Sequence, residues 1–104
     1  MSNAYNVEYT DTFGGEANYS WVNRTVIRMP ELTHYGYDGS SNYAAANAMM
    51  VRDLKRRAKA WAGLSGARGE WEDWGDSWAF RPRGRATILF VNWREEQPEE
   101  EAEA

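Results

Sequence analysis

Alternating apolar and polar residues in the first third of the chain predict a β-hairpin. Tyr5, Val7 and Tyr9 alternate with polar residues, and a longer alternation runs from Asn18 to Met29. A period of two is typical of strands that bury one face. A turn sequence with two glycines at residues 13–16 separates the two runs, so we expect them to pair as neighbours.

The segment Asn42–Ala62 is predicted to form one long amphipathic helix. It is rich in Ala, Met, Leu, Arg and Lys, which favour helices. Apolar residues recur on one side at helical spacing: Tyr43, Ala46, Met50, Leu54, Ala58 and Trp61. The opposite side carries cations: Arg52, Lys55, Arg56 and Lys59. Gly63 and Gly66 mark the end of the helix.

Three shorter strands are predicted in the last third of the chain, at Arg68–Trp74, Ser77–Arg81 and Arg85–Trp93. Turn sequences at residues 75–76 and 82–84 separate them. The predicted order is therefore ββαβββ. We expect one α+β domain over residues 1–94, with an antiparallel sheet of about five strands packed on one long amphipathic helix.

One helix covers only one face of such a sheet, so the second face should be left open. If Leu89, Val91 and their neighbours face the helix, other apolar side chains need a different cover: Val22, Val26, Ile88 and Phe90. Arg24 and Arg28 alternate with them along the second strand. Exposed apolar surface of this extent usually marks an interaction site.

The charge is unevenly distributed along the chain. Residues 1–94 carry twelve basic and ten acidic side chains, whereas residues 95–104 carry six acidic side chains and no basic one. The net charge of −4 therefore comes from the C-terminal ten residues. A block of like charge is usually disordered, so we predict a disordered acidic tail over residues 95–104.

The composition excludes several kinds of chemistry. The chain has no cysteine, which rules out disulfides and thiol catalysis and favours a reducing, cytoplasmic setting. No apolar run approaches the roughly 20 residues that span a bilayer, so no membrane contact is expected. The single histidine, His34, offers no set of metal ligands. We therefore expect neither a metal ion nor a cofactor.

Catalysis is the weakest of the functional interpretations. A catalytic nucleophile needs a base that a third group orients, and His34 lies in a predicted loop. Four carboxylates surround two tryptophans in the C-terminal hairpin: Glu70, Glu72, Asp73 and Asp76. Acid pairs beside aromatic rings occur in sugar-cleaving sites, but a half-exposed hairpin has the same pattern. We predict a non-enzymatic protein and keep a small hydrolase as an alternative.

Binding residues are predicted in three groups: hairpin tryptophans, strand arginines and the basic helix side. The predicted contact residues are Trp71, Trp74, Trp78, Arg24, Arg28, Arg52, Lys55, Arg56 and Lys59. We expect them to contact a host or phage protein, or a second copy of the chain. The alternative is a nucleic-acid-binding domain, because the helix cations could neutralise phosphates.

Three stretches of the chain carry a family resemblance. They are Glu8–Val22, then Leu32–Tyr37, and then Leu64–Gly69 with the Trp-rich hairpin and Phe90–Trp93 beyond it. Together they make most of residues 7–94 similar to small uncharacterised proteins encoded by bacteriophages, prophages and plasmids.

The resemblance implies a mobile-element origin and a place of action in the bacterial cytoplasm. Compact accessory proteins of that origin often bind and block host machinery, including CRISPR effectors and restriction enzymes. An inhibitor of host defence that acts by protein–protein contact is therefore the expected function. Some such proteins are acidic mimics of nucleic acid, but residues 1–94 are slightly basic, which argues against mimicry.

Overall fold

The fold is known from a computed structural model that describes residues 3–95. It contains five strands, one α-helix and one short 3-10 helix. In chain order these are β1 (Asn3–Phe13), β2 (Glu16–Met29), the 3-10 helix (Leu32–Tyr35), α1 (Tyr43–Trp61), β3 (Gly69–Asp73), β4 (Ser77–Pro82) and β5 (Thr87–Arg94). The predicted acidic tail, apart from Glu95, lies outside the described residues.

The strands form one antiparallel sheet in the order β2-β1-β5-β4-β3. This confirms the predicted α+β class and the ββαβββ order. The last strand, β5, lies between β1 and β4. The segment from β2 to β3, which contains α1, joins the two outer strands of the sheet.

Periodicity predicted α1 to within one residue at each end. The residues in the middle of the predicted apolar side of the helix are buried: Ala46, Met50, Leu54 and Ala58. The two ends of this apolar side differ from the prediction, because Tyr43 is 55% exposed and Trp61 is 37% exposed. Only the central turns of α1 therefore pack fully into the core, and both terminal aromatic rings remain partly accessible.

The core lies between α1 and one face of the sheet. Cross-strand pairing places Val7 of β1 opposite Val91 of β5, and Leu89 opposite Phe80 of β4. These four side chains are at most 1% exposed and belong to the same cluster as Leu54 of α1. Each such side chain contributes about 1.5–3 kcal/mol by leaving water. This cluster holds the helix over the three central strands.

A β-bulge interrupts the pairing of β1 with β2 between Thr10 and Thr12. Tyr19, on the opposite strand, has a φ of 55° in the left-handed region, where non-glycine residues are rare. The Asp11 carboxylate accepts hydrogen bonds from the Ser20 amide at 3.0 Å and the Asn18 side-chain amide at 2.9 Å. These bonds hold the irregular backbone in place.

No helix within residues 3–95 is long and apolar enough to cross a membrane.

Candidate binding surfaces

A basic groove runs between the C-terminal half of α1 and the outer strand β3. Its volume is about 320 Å³. The residues that define the basic groove are Arg52, Lys55, Arg56, Lys59 and Trp71, with Ser65 and Gly66 at one end. Helical spacing brings the four cations to one side of α1, and Trp71 faces α1 because it pairs with the core residue Phe80.

Two lysines of the basic groove are held by aromatic rings. The Lys55 ammonium lies 5.0 Å from the centre of the Trp71 ring. Lys59 lies 4.6 Å from the centre of the Phe80 ring and donates a hydrogen bond of 2.8 Å to the Ala67 carbonyl. Such contacts fix a cation by about 0.5–2 kcal/mol, so the positive charge of the groove is positioned in advance.

An anionic residue, Asp53, lies beside the groove and is already neutralised. Its carboxylate pairs with Arg56 and, at 3.1 Å, with Arg57. It also accepts a hydrogen bond of 2.6 Å from the Tyr35 hydroxyl. The Tyr35 bond, followed by those from the arginines, lowers the pKa of Asp53 to about 2. Burial, and then Asp53, raises the pKa of Tyr35 to about 12.

The open face of the sheet is the side turned away from α1, which carries Glu8, Arg24, Val26, Phe90 and Asn92. Register shows these side chains to be neighbours, since Glu8 pairs with both Arg24 and Phe90. Neither helix of the described chain packs on this face, because α1 covers the opposite one. A shallow depression of about 560 Å³ lies on the β1–β2–β5 part of the open face.

The apolar residues predicted to need cover do lie on the open face. Ile88 is sealed at 1% exposure, whereas Val22, Val26 and Phe90 remain half-buried. Arg81 donates a 2.6 Å hydrogen bond to the Gly15 carbonyl, which ties the β1–β2 turn to β4 at that end. The chain's own turn therefore covers part of the open face, and the rest stays accessible.

The β-bulge adds an aromatic residue to the open face. Regular alternation would place Tyr19 on the helix side with Trp21, but its hydroxyl donates to Glu8 Oε1 at 3.4 Å. Glu8 also forms an ion pair of 2.6 Å with Arg24. Sequence reasoning missed Tyr19, because no local signal in the alternating run gives the position of the bulge.

The structure divides the predicted contact residues among separate places. Five of them share the basic groove: Arg52, Lys55, Arg56, Lys59 and Trp71. Arg24 and Arg28 lie across the sheet on the open face, since strand residues alternate between faces. Trp74 is 56% exposed beside the β3–β4 turn. Trp78 faces α1, is 4% exposed and belongs to the core, which leaves it little surface for contact with another protein.

The residues of the hydrolase alternative have other contacts. The His34 ring packs edge-on against Tyr35 at 5.1 Å. Glu72 pairs with Arg81 at 3.0 Å, and Asp73 accepts a 2.8 Å hydrogen bond from the Gly75 amide. Within residues 3–95, no group of three or more His, Cys, Asp or Glu side chains could hold a metal ion. The hydrolase interpretation stays a prediction.

A third concave site was not predicted from the sequence. This aromatic cavity, defined by Tyr5, Tyr43, Asp76, Trp78 and Trp93, has a volume of about 440 Å³. It lies where β1 begins and β5 ends, since Tyr5 pairs with Trp93. Its members come from four separate parts of the chain, so no sequence motif marks them.

Over residues 3–95, the fold and these surfaces define a small α+β domain with one long helix over an antiparallel sheet. No family model, no curated protein and no solved structure matches the chain.

Proposed function

We propose that this chain is a non-enzymatic binding protein that contacts another protein through the open face of its sheet. The observation that carries the proposal is that three apolar side chains, Val22, Val26 and Phe90, are only half-buried on a face that α1 does not cover. Charged and aromatic side chains lie among them: Arg24 lies between Val22 and Val26, Glu8 lies between Arg24 and Phe90, and Tyr19 and Arg28 lie on the same face. Protein interfaces are mixed in composition, and aromatic and arginine side chains are enriched in them.

The size of the open face supports a protein partner. Five strands at about 4.8 Å spacing and eight residues at about 3.4 Å give the whole face a projected area of roughly 650 Å², part of which the β1–β2 turn covers. A standard interface buries about 800 Å² on each partner. The face is broad and shallow, whereas a small ligand needs a cleft that encloses most of its surface.

A capture experiment with matched variants tests this use of the open face. We expect the wild-type protein to retain one stoichiometric partner from a bacterial lysate, and Val26→Asp to lose it because a charge replaces an apolar side chain on the open face. Tyr19→Ala, which truncates an exposed ring, should weaken capture without affecting the fold. Ala45→Asp on the exposed side of α1 is the control and should behave as wild type.

Two results would count against the open face as the surface that binds the partner. One is the absence of any stoichiometric partner, and the other is capture that Val26→Asp and Tyr19→Ala leave unchanged. Mass measurement of the purified protein separates a foreign partner from a second copy. A dimer that Val26→Asp converts to a monomer would assign the open face to self-association.

We further propose that the protein acts in the cytoplasm of a bacterial host and inhibits a defence system. The family resemblance to phage and plasmid proteins supports this choice of partner. Expression in a strain with an active CRISPR or restriction system should raise the plating efficiency of a targeted phage. Plating that is unchanged across several defence systems, with the protein well expressed, would argue against inhibition.

Nucleic-acid binding by the basic groove is the second candidate function. It is favoured because the groove gathers Arg52, Lys55, Arg56 and Lys59, and aromatic rings hold the two lysines in place. We expect single-stranded nucleic acid to bind at low salt and to dissociate as salt rises. Arg52→Ala combined with Arg56→Ala should weaken binding and lower the slope of log K against log salt by about 1.4.

Arg24→Ala is the control for the basic groove, because Arg24 lies on the opposite face of the sheet and is paired with Glu8. Mobility shifts that show no complex at low salt would remove the nucleic-acid interpretation. A complex that the double variant and Arg24→Ala weaken equally would place binding outside the groove.

A further inference from the structure

The aromatic cavity has a floor of buried rings and two walls of exposed rings. Tyr5 and Trp78 form the floor: each is 4% exposed, and their ring centres lie 6.0 Å apart at a tilt of 52°. Tyr43 and Trp93 form the walls and are 55% and 46% exposed. Large rings left this exposed bury little surface within the domain itself, so they are available to a bound group.

Backbone and ring contacts fix the walls. The Trp93 amide donates a 3.0 Å hydrogen bond to the Asp76 carbonyl, which holds the β3–β4 turn against the end of β5. Tyr43 packs edge-on against Tyr37, with ring centres 5.7 Å apart. The cavity is therefore built by four elements, β1, α1, β4 and β5, and one turn that the fold already holds together.

The charge of the aromatic cavity is negative. Asp76 contributes a carboxylate, and none of the described residues that line the cavity is Lys or Arg. Burial, with additional effects of Tyr43 and Asp76, raises the pKa of Tyr5. The phenol of Tyr5 thus stays neutral near pH 7, and Tyr5, Tyr43 and Asp76 line the same cavity.

We propose that the aromatic cavity binds a methylated or quaternary ammonium cation. The faces of aromatic rings carry negative potential and attract cations that have a weak hydration shell. A single carboxylate adds attraction without forming a metal site. A strongly hydrated ion such as Mg²⁺ instead needs several oxygen ligands. The proposal is independent of the open face and of the basic groove.

The proposal is tested by titrating the protein with choline, and binding is measured by calorimetry or from the NMR signals of the tryptophan side chains. The matched ligand is 3,3-dimethylbutan-1-ol, the uncharged carbon isostere of choline, and potassium chloride controls for ionic strength. We expect saturable choline binding and at least about tenfold weaker binding of the isostere, because only choline gains the cation–π attraction. Equal affinity for the two ligands would show an apolar pocket and overturn the proposal.

Variants then locate the site. Trp93→Ala removes an exposed ring and should weaken choline binding by about 2- to 30-fold, the range of one cation–π contact. Asp76→Asn should weaken it while preserving the shape of the cavity. Trp74→Ala, which removes a tryptophan that is 56% exposed outside the cavity lining, is the control and should leave affinity unchanged.

Circular dichroism spectra and thermal unfolding must match wild type for each variant. Absence of saturable choline binding to the wild-type protein would overturn the proposal. So would affinity that Trp93→Ala and Asp76→Asn both leave unchanged. Neither result would bear on the protein partner of the open face, which the Val26→Asp capture experiment tests separately.

Discussion

At the scale of single residues, the structure depends on positions that only one type of residue can occupy. Gly69 opens β3 opposite Pro82. A Cβ atom at Gly69 would lie 2.2 Å from the Arg81 carbonyl oxygen, far inside contact distance. The close approach of β3 to β4 therefore requires glycine, and it is this approach that places Trp71 in the basic groove.

We expect Gly69→Ala to reduce the free energy of unfolding by about 1–3 kcal/mol, the usual cost of overpacking. Gly14→Asn is the control: Gly14 has open space around its Cα and a φ of 62°, which Asn tolerates. It should change stability by no more than about 0.5 kcal/mol. Urea denaturation measures both, and equal stability of the two variants would contradict the clash.

Asp53 makes the stability of the fold depend on pH in the acidic range. Its folded pKa of about 2 lies below the ordinary value of 3.8, so its contribution is complete above about pH 4 and is lost as pH falls through about 2. Tyr35→Phe removes the largest cause of that shift and should cost about 1 kcal/mol at pH 7.

The stability difference between wild type and Tyr35→Phe should shrink as the pH falls from about 4 towards 2, because protonation removes the charged hydrogen-bond acceptor. Urea midpoints at pH 7, 4 and 2.5 measure this. A difference that stays constant across this range would show that Tyr35 does not act through the Asp53 carboxylate.

At the scale of elements, the bulge in the β1–β2 hairpin decides which side chains share a face. Asp11 holds it by hydrogen bonds from Asn18 and from the amide and hydroxyl of Ser20. These bonds, those of Ser20 first, lower the pKa of Asp11. The bulge in turn brings Tyr19 to the open face, so one carboxylate controls part of the proposed contact surface.

We expect Asp11→Ala to loosen the bulge and to lower the thermal midpoint by a few degrees. Hydrogen exchange at the Tyr19 and Ser20 amides should become faster, since both donate to side chains at the bulge. Partner capture should weaken as it does for Tyr19→Ala. Exchange rates identical to wild type would mean that backbone pairing alone holds the bulge.

At the scale of the whole molecule, the sequence predicted the elements well and the surfaces poorly. Strands and helix follow from local periodicity, so the order ββαβββ and the central buried residues of α1 could be predicted. The predicted contact residues could not be grouped correctly from the sequence. Strand alternation places Arg24 and Trp71 on opposite faces of the sheet, and Trp78 is buried in the core. The aromatic cavity joins residues from Tyr5 to Trp93, which only the register of β1 with β5 brings together.

The central position of β5 makes the fold dependent on the last described strand. A chain that ends at residue 86 lacks β5 and leaves β1 and β4 without a common neighbour, so we expect it to be unfolded by circular dichroism. A chain that ends at Glu95 retains every core residue described and should unfold cooperatively. A folded 1–86 fragment would contradict the role of β5 as the strand that closes the sheet.

The same position of β5 constrains how the protein is synthesised. The ribosome releases the β1–β2 hairpin and α1 first, but their shared core cannot close until β5 has left the exit tunnel. Until that moment β1 has one unpaired edge, open to chaperones and to wrong pairing with neighbouring nascent chains. Folding is therefore expected to finish only once β5 has emerged, and a slow final step would prolong the time during which the incomplete sheet is exposed to other chains.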